Sequence, residues 1–420
     1  MQKKSRKRRA RALPCTLLTL LLGSASVFGH AETPSYRALF ESAQASAPRL
    51  LVQAANVRAA QAQARQAAAW LNPTLSATYE NLGAPAPGGV SQRQDTYVLT
   101  QAFELGGKRA ARIEAEQRRW AATGAREREA RLAFAGELAL AYATAEAMQQ
   151  RQTIAKAGLE RANDDLRAAQ AMVKAGREAE LRLAQARASV AAAQAALASS
   201  TADAIEALER LSALVGAREP FTRIDHPFLA TVTALDARSD WTPGQVPALA
   251  AATAERDALS AQVRVEENRW KPDLEVSVGM RKFGWTGEKA ATVGLSANLP
   301  LFDRNRGGID AARERAAGAA MRVEAERLDA VASRRSALVQ VEASVQRLNA
   351  AEEGEAAALE AYRLGRIGYD AGKTALLELL AIRRALAEAQ ALTIDARLGR
   401  IRALAALSMA EGRPVFGEAP

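Results

Sequence analysis

The sequence predicts a mainly helical chain, built twice around a small sheet, and three observations predict it. At 94–112, QDTYVLTQAFELGGKRAAR, Tyr97, Leu99 and Phe103 alternate with Thr96, Val98, Thr100 and Ala102, the two-residue period of a strand with unlike faces. The strand stops at Gly106-Gly107, and a charged, Ala-rich helical pattern follows for about 65 residues, where globular helices average about 11–12. The same strand, Gly-marked corner (Gly307-Gly308) and long helix recur at 290–315. Thirdly, past the first 31 residues there is no run of 18 apolar residues. A chain of this kind can cross a bilayer only with strands in a closed barrel.

In order, the chain begins with seven basic residues (Lys3, Lys4, Arg6, Lys7, Arg8, Arg9, Arg11) and an apolar run from Leu13 to Phe28. Gly29-His30-Ala31 then offers small residues for cleavage after Ala31. This is the pattern of a secretory signal over 1–31, too short for the roughly 20 residues of a spanning helix. Without those basic residues the net charge of +10 falls to about +3, so the pI near 10 is no reason to expect nucleic acid as a partner. Cys15, the sole cysteine, lies in this leader in a poor context for lipid attachment, so the exported chain is expected to have no disulfide or thiol chemistry. Hydrophobic residues make up 49% but aromatics only 5%; that balance suits long helices packed closely through alanine.

Four segments read as strands, in hairpins at 73–103 and 272–302. Leu75, Ala77 and Tyr79 alternate with Thr74, Ser76, Thr78 and Glu80, and a GAPAPGGV loop leads to the strand at 94–103. In the second pair Leu274, Val276, Val278 and Met280 face away from Glu275, Ser277, Gly279 and Arg281. Val293, Leu295, Ala297, Leu299 and Leu301 alternate with Thr292, Gly294, Ser296, Asn298 and Pro300. Each segment is close to the 9–11 residues a tilted membrane strand needs, with one face apolar throughout and the other tolerant of charge. Alternation alone leaves soluble hairpins with one wet face equally open.

The helices decide between them. Each hairpin follows a helical segment ending in Trp (33–70 and 247–270), with a proline close behind (Pro73, Pro272). A helix of about 60–65 residues comes after each, roughly 90–100 Å long. Each long helix ends near a glycine turn, VKAGRE or YDAGKT, and a shorter helix returns. Leu159, Ala162, Leu166, Ala169 and Val173 on the outgoing helix, and Val190, Ala193, Leu197, Ala204, Ala207 and Leu211 on the return, fall at seam spacing. An offset of 196 superposes Gly176 on Gly372, Leu181 on Leu377 and Arg187 on Arg383. The expected organisation is therefore a first repeat over 32–215, a Pro-rich connection over 216–246 and a second repeat over 247–420.

These residues resemble a known family. NPTLSATYEN, QAFELGGKRAARI, WKPDLEVSVGMRKF and VGLSANLPLFDRNRGG are similar to segments of TolC-like outer-membrane factors, above all the branch serving heavy-metal (cobalt–zinc–cadmium type) efflux. The resemblance covers essentially the whole mature chain. It implies a homotrimer in which each protomer gives four strands to a twelve-stranded outer-membrane barrel, with the long helical hairpins forming an α-barrel tube across the periplasm. It also implies a periplasmic adaptor and an inner-membrane pump of the resistance–nodulation–division class as partners, and outer-membrane lipid around the barrel. At the pore entrance it points to Tyr369, Asp370, Lys373 and Glu378, with Gly176, Arg177, Gly372 and Lys373 in the turns that meet the adaptor. Tyr369 matches the family tyrosine three before the glycine, and Glu378 the first pore acid. The second acid is replaced by Ala381 and the usual basic position by Thr374, which departs from a two-ring cation mouth. For Asp370, Lys373 and Glu378 a plain helix cap is the competing reading.

Catalysis has little to stand on. His226 is the single histidine after the leader and sits beside Pro227 as a turn residue, and Met148, Met172, Met280, Met321 and Met409 are scattered as packing residues. No catalytic, cofactor or metal site is expected. Asp164-Asp165 and Glu352-Glu353 read as solvated helix faces. The function expected is an outer-membrane efflux duct for heavy-metal cations. The alternatives are a drug-efflux or protein-secretion duct and, from another class, a soluble periplasmic coiled-coil scaffold or adaptor.

Overall fold

The computed structural model describes residues 33–230, 240–371, 373–414 and Phe416; the secretory segment expected at 1–31 lies outside them. The helices are α1 (Tyr36–Ser46), α2 (Pro48–Ala67), α3 (Lys108–Lys174), α4 (Glu180–Val215), α5 (Pro247–Arg269), α6 (Arg306–Asp370) and α7 (Leu376–Glu411). The strands are β1 (Thr74–Glu80), β2 (Gln94–Phe103), β3 (Leu274–Phe283) and β4 (Lys289–Ala297). They form one antiparallel sheet in the order β1-β2-β3-β4. Helix and sheet thus combine in the mainly helical architecture that the sequence predicts. At 67 and 65 residues, α3 and α6 extend roughly 100 Å from the sheet.

Alanine dominates the helix contacts. Ala111, Ala115, Ala122 and Ala125 of α3 and Ala312, Ala319, Ala330 and Ala337 of α6 are buried, so backbones approach where larger side chains would hold them apart. The seam residues of α3 and α4 are all buried or half-buried. The scarce aromatics gather midway along the helices. Tyr36 stacks on Phe228 at 4.5 Å, and Tyr142 and Phe416 meet that ring edge-on at 5.6 Å. The Glu146 carboxylate, itself buried, accepts hydrogen bonds from the backbone N–H groups of Phe228 (2.8 Å) and Leu229 (2.9 Å). The Tyr142 hydroxyl donates to the carbonyls of Pro34 and His226, and burial, with Glu146 and Asp225 nearby, pushes its pKa up to about 12. The part of the inter-repeat connection at 224–229 is therefore clasped against α3 rather than draped over it.

Four expectations are corrected. The helical segment at 33–70 is two helices, because Pro48 lacks an N–H and drives Ala47 to ψ 123°. The alternation through Leu299 and Leu301 outlasts the strand, which ends at Ala297; Pro300 cannot donate to a ladder, and the Leu301 N–H turns back to the Leu299 carbonyl at 2.9 Å. The apolar face of β2 is interrupted by Gln101, which the register sets opposite Val276; its amide is satisfied by the carbonyls of Leu71 and Ala102, both at 2.9 Å. Lastly, Gly307 and Gly308 are not the corner of the second repeat. Both lie in the first turn of α6, and Asn305 takes the left-handed conformation instead, at φ 55°.

Candidate functional site

Three places could carry function: the sheet surface, the strand-to-helix corners and the far tips of the helical hairpins. Residues opposite one another in an antiparallel pair share a face. The register sets Leu75 beside Leu99, Leu99 beside Val278 and Val278 beside Val293, with Val276 beside Leu295. Leu75, Leu99, Val278, Val293 and Leu295 are 46–81% exposed. The reverse face carries Ser76, Thr78, Thr96, Thr100, Glu275, Ser277, Arg281, Thr292 and Ser296. An apolar band across four strands, edged by Asp95, Lys282 and Lys289 at its far end, with a reverse that is polar except at positions such as Val98 and Phe283, suits lipid on one side and water on the other.

At the first corner Gly106 and Gly107 both have positive φ, +66° and +79°, a conformation that costs other L-residues about 1–2 kcal/mol. The second repeat braces this turn. Lys271 Nζ donates to the Gly106 carbonyl at 2.8 Å, and Lys108 pairs with Asp273 at 2.8 Å. At the second corner Asn305 Nδ2 donates to Glu266 Oε2 at 2.7 Å and to the Glu266 carbonyl at 3.0 Å. That bond from Asn305 holds the Glu266 carboxyl below the usual range. Gly308 leaves room for it, since a Cβ there would lie 2.2 Å from Asn305 Oδ1.

The tips are two turns of similar make. After α3, Arg177 N–H bonds the Met172 carbonyl (2.9 Å) and Gly176 N–H the Val173 carbonyl (3.0 Å), with Gly176 at φ 69°. This is the paired-bond helix stop that favours glycine. After α6, Lys373 N–H bonds the Gly368 carbonyl at 2.7 Å, the same long bond; Gly372 lies outside the described residues. Gly368, which sequence reasoning missed, lets the turn close tightly: a Cβ there would meet Thr374 Oγ1 at 2.3 Å and oblige that side chain to turn away. Tyr369 is half-buried, whereas Asp370, Lys373 and Glu378 are exposed. Asp370 lies 3.9 Å from Arg366. Glu378 occupies the first turn of α7, whose start has no side-chain cap; the helix N-terminus favours its charge. Leu181 and Leu377, equivalent in the two repeats, are 68% and 76% exposed.

Behind the tip, Asp165 of α3 pairs with Arg383 of α7, both side chains 16% exposed. Tyr362 of α6 lies 5.9 Å from the guanidinium carbons of both Arg383 and Arg161. This cluster joins the two repeats and corrects the reading of Asp165 as a solvated face; Asp164, 65% exposed, pairs along its own helix with Arg167. No periodicity signals a partner 218 positions away. Among the described residues, no group of three or more His, Cys, Asp or Glu side chains is placed to hold a metal ion.

Comparisons with known proteins follow the same geometry. The family model described as outer membrane efflux protein matches residues 39–217 and 244–413. The nickel-cobalt-cadmium resistance protein NccC of Alcaligenes xylosoxydans xylosoxydans is 52% identical over 411 residues, covering 98% of this chain and 94% of that protein. The nickel and cobalt resistance protein CnrC of Cupriavidus metallidurans is 55% identical over 388 residues, covering 92% and 93%. Among solved structures, the open state of the Neisseria gonorrhoeae MtrE outer membrane channel superposes with a TM-score of 0.77 at 21% identity, over 92% of this chain and 90% of that one.

Proposed function

The chain belongs to the outer membrane efflux protein family, and from that premise we propose that it is the outer-membrane duct of a tripartite system exporting heavy-metal cations. The observation that carries this reading is the exposed apolar band of the sheet, mounted on helices of 67 and 65 residues. Four strands leave β1 and β4 with open edges, which lipid does not permit. Three copies would close a twelve-stranded barrel and bring the helices into a tube. Substrate would be delivered by an inner-membrane pump of the resistance–nodulation–division class through a periplasmic adaptor meeting the tips, where Arg177, Lys373, Leu181 and Leu377 are presented. Residues 1–31 would direct export. The names of NccC and CnrC favour nickel and cobalt as cargo, and the duct itself would be passive, with no catalytic step. Expressed with its pump and adaptor in a host lacking a duct, the chain should restore tolerance to nickel and cobalt, and it should be extracted from outer membranes as a trimer. A monodisperse monomer in detergent-free buffer would refute the reading.

Within it, Tyr369, Asp370, Lys373 and Glu378 form the periplasmic mouth. Three copies of Glu378 about a threefold axis would make an acidic ring, which concentrates cations and excludes anions in a narrow wet passage. In single-channel recordings under a salt gradient, Glu378→Gln should lower cation preference with trimer yield unchanged, and Tyr369→Ala should raise conductance by removing the largest obstruction. An unchanged reversal potential for Glu378→Gln would make Glu378 a helix-start acid and nothing more.

A further inference from the structure

The free edges of the sheet carry two features that a single protomer leaves unmatched. Beyond β4 the chain puts Leu299, Leu301 and Phe302 into solvent, 64%, 66% and 100% exposed. Before β1, at the same helical end of the sheet, lies an open groove of about 480 Å³ between α2 and α3. Its lining includes Ala67, Trp70, Leu71, Arg112, Glu116 and Arg119. Its walls are held in place. The Arg109 guanidinium sits 4.8 Å over the Trp70 ring and donates to the Ala68 carbonyl. Arg112 is held by Glu104 and the Ala67 carbonyl.

Phe302 and the groove lie at opposite edges, because β1 and β4 are the outer strands, so a chain cannot fill its own groove. Adjacent strands run antiparallel. Closure therefore sets β4 of one copy antiparallel to β1 of the next and brings the two helical-end segments to one seam. We propose that Phe302 of each protomer seats in the α2–α3 groove of its neighbour, fastening the membrane barrel to the helical tube at every protomer boundary. The occupant is a second copy of this chain. Charges of both signs line the groove (Arg112, Glu116, Arg119) and flank the knob (Asp303, Arg304, Arg306), which fits a protein neighbour better than hydrocarbon. Burying an aromatic side chain withdraws about 150–250 Å² from water. The inference rests on the trimeric closure proposed above.

Cysteine is available as a probe, since Cys15 is the single cysteine in the sequence and lies in the leader. With Phe302→Cys and Leu71→Cys combined, mild oxidation of outer membranes should convert most of the chain to covalent dimers and trimers on non-reducing gels. Either change alone should not, nor should Phe302→Cys with Ser91→Cys at the other end of the sheet. Independently, Phe302→Ser should lower the temperature at which the detergent-extracted trimer dissociates, while Phe302→Leu should restore much of it. A trimer without the Phe302–Leu71 cross-link, in which Phe302→Cys reacts instead with a bilayer-dissolved maleimide, assigns this side chain to lipid and overturns the knob while leaving the duct intact. Extraction of the wild-type chain as a monomer overturns both.

Discussion

Where α3 leaves the sheet, two consecutive glycines at φ +66° and +79° turn the chain; where α6 leaves it, Asn305 alone does so at φ +55° and the glycines that follow are already helical. The repeats share a path but not the residue that bends it. Both turns are nevertheless held by the same stretch at the end of α5: Asn268 and Lys271 reach the carbonyls of Gly107 and Gly106, while Glu266 receives Asn305. One stretch of the second repeat thus brackets both corners, and each corner reaches a positive φ by a different residue. An Asn can serve at the second corner because its amide has a partner within reach. The first corner needs backbone freedom at two successive positions, which only glycine supplies at little cost.

The largest effect tests what the repeats have in common. Leu99→Arg in the first hairpin and Leu295→Arg in the second should each cost about 2–4 kcal/mol and reduce insertion to a similar degree, since both lie on the exposed apolar face. Ser76→Arg and Ser296→Arg, on the reverse face, should insert normally. Membrane fractionation checks this, and equal damage on both faces would mean that lipid does not cover the band.

An intermediate effect separates the corners. Gly107→Ala should lower the unfolding free energy by about 1–2 kcal/mol, the strain of a left-handed alanine, because a Cβ there meets nothing nearer than 3.7 Å and space is not the obstacle. Gly307→Ala, helical and open, should be neutral or stabilising by about 0.5–1 kcal/mol. Thermal denaturation in detergent distinguishes them; losses of equal size would mean that both corners bend at glycine.

The smallest effect is read against pH. Asn305→Gly, which keeps the left-handed backbone without strain, removes the hydrogen bond that depresses the Glu266 pKa, at about 1 kcal/mol for a partly exposed charged acceptor. A carboxyl whose pKa is lower in the folded state stabilises above its unfolded value, about 4.3, and loses that contribution as pH falls through the folded one. The gap between wild type and variant should therefore be full at neutral pH and narrow below about pH 4. A gap independent of pH would trace the loss to backbone conformation at position 305.

Strand and long helix were legible in the sequence because each is local, a period of two and a sustained alanine-rich helical pattern, and the repeat because it copies residue identities at one offset of 196. The apolar face followed from that alternation, its reading as a membrane face only from the long helices beside it, and the family resemblance from the motifs at the corners. Four features belonged to the tertiary structure. These are the pairing of Asp165 with Arg383, the gathering of Tyr36, Tyr142, Phe228 and Phe416 around one point, the placing of Gln101 on the apolar face, and the choice of Asn305 over Gly307 as the bend. Each depends on which distant segment lies alongside. A side chain 218 positions away can decide whether a carboxylate is solvated or paired, and that choice is made by packing, which leaves no period in the chain.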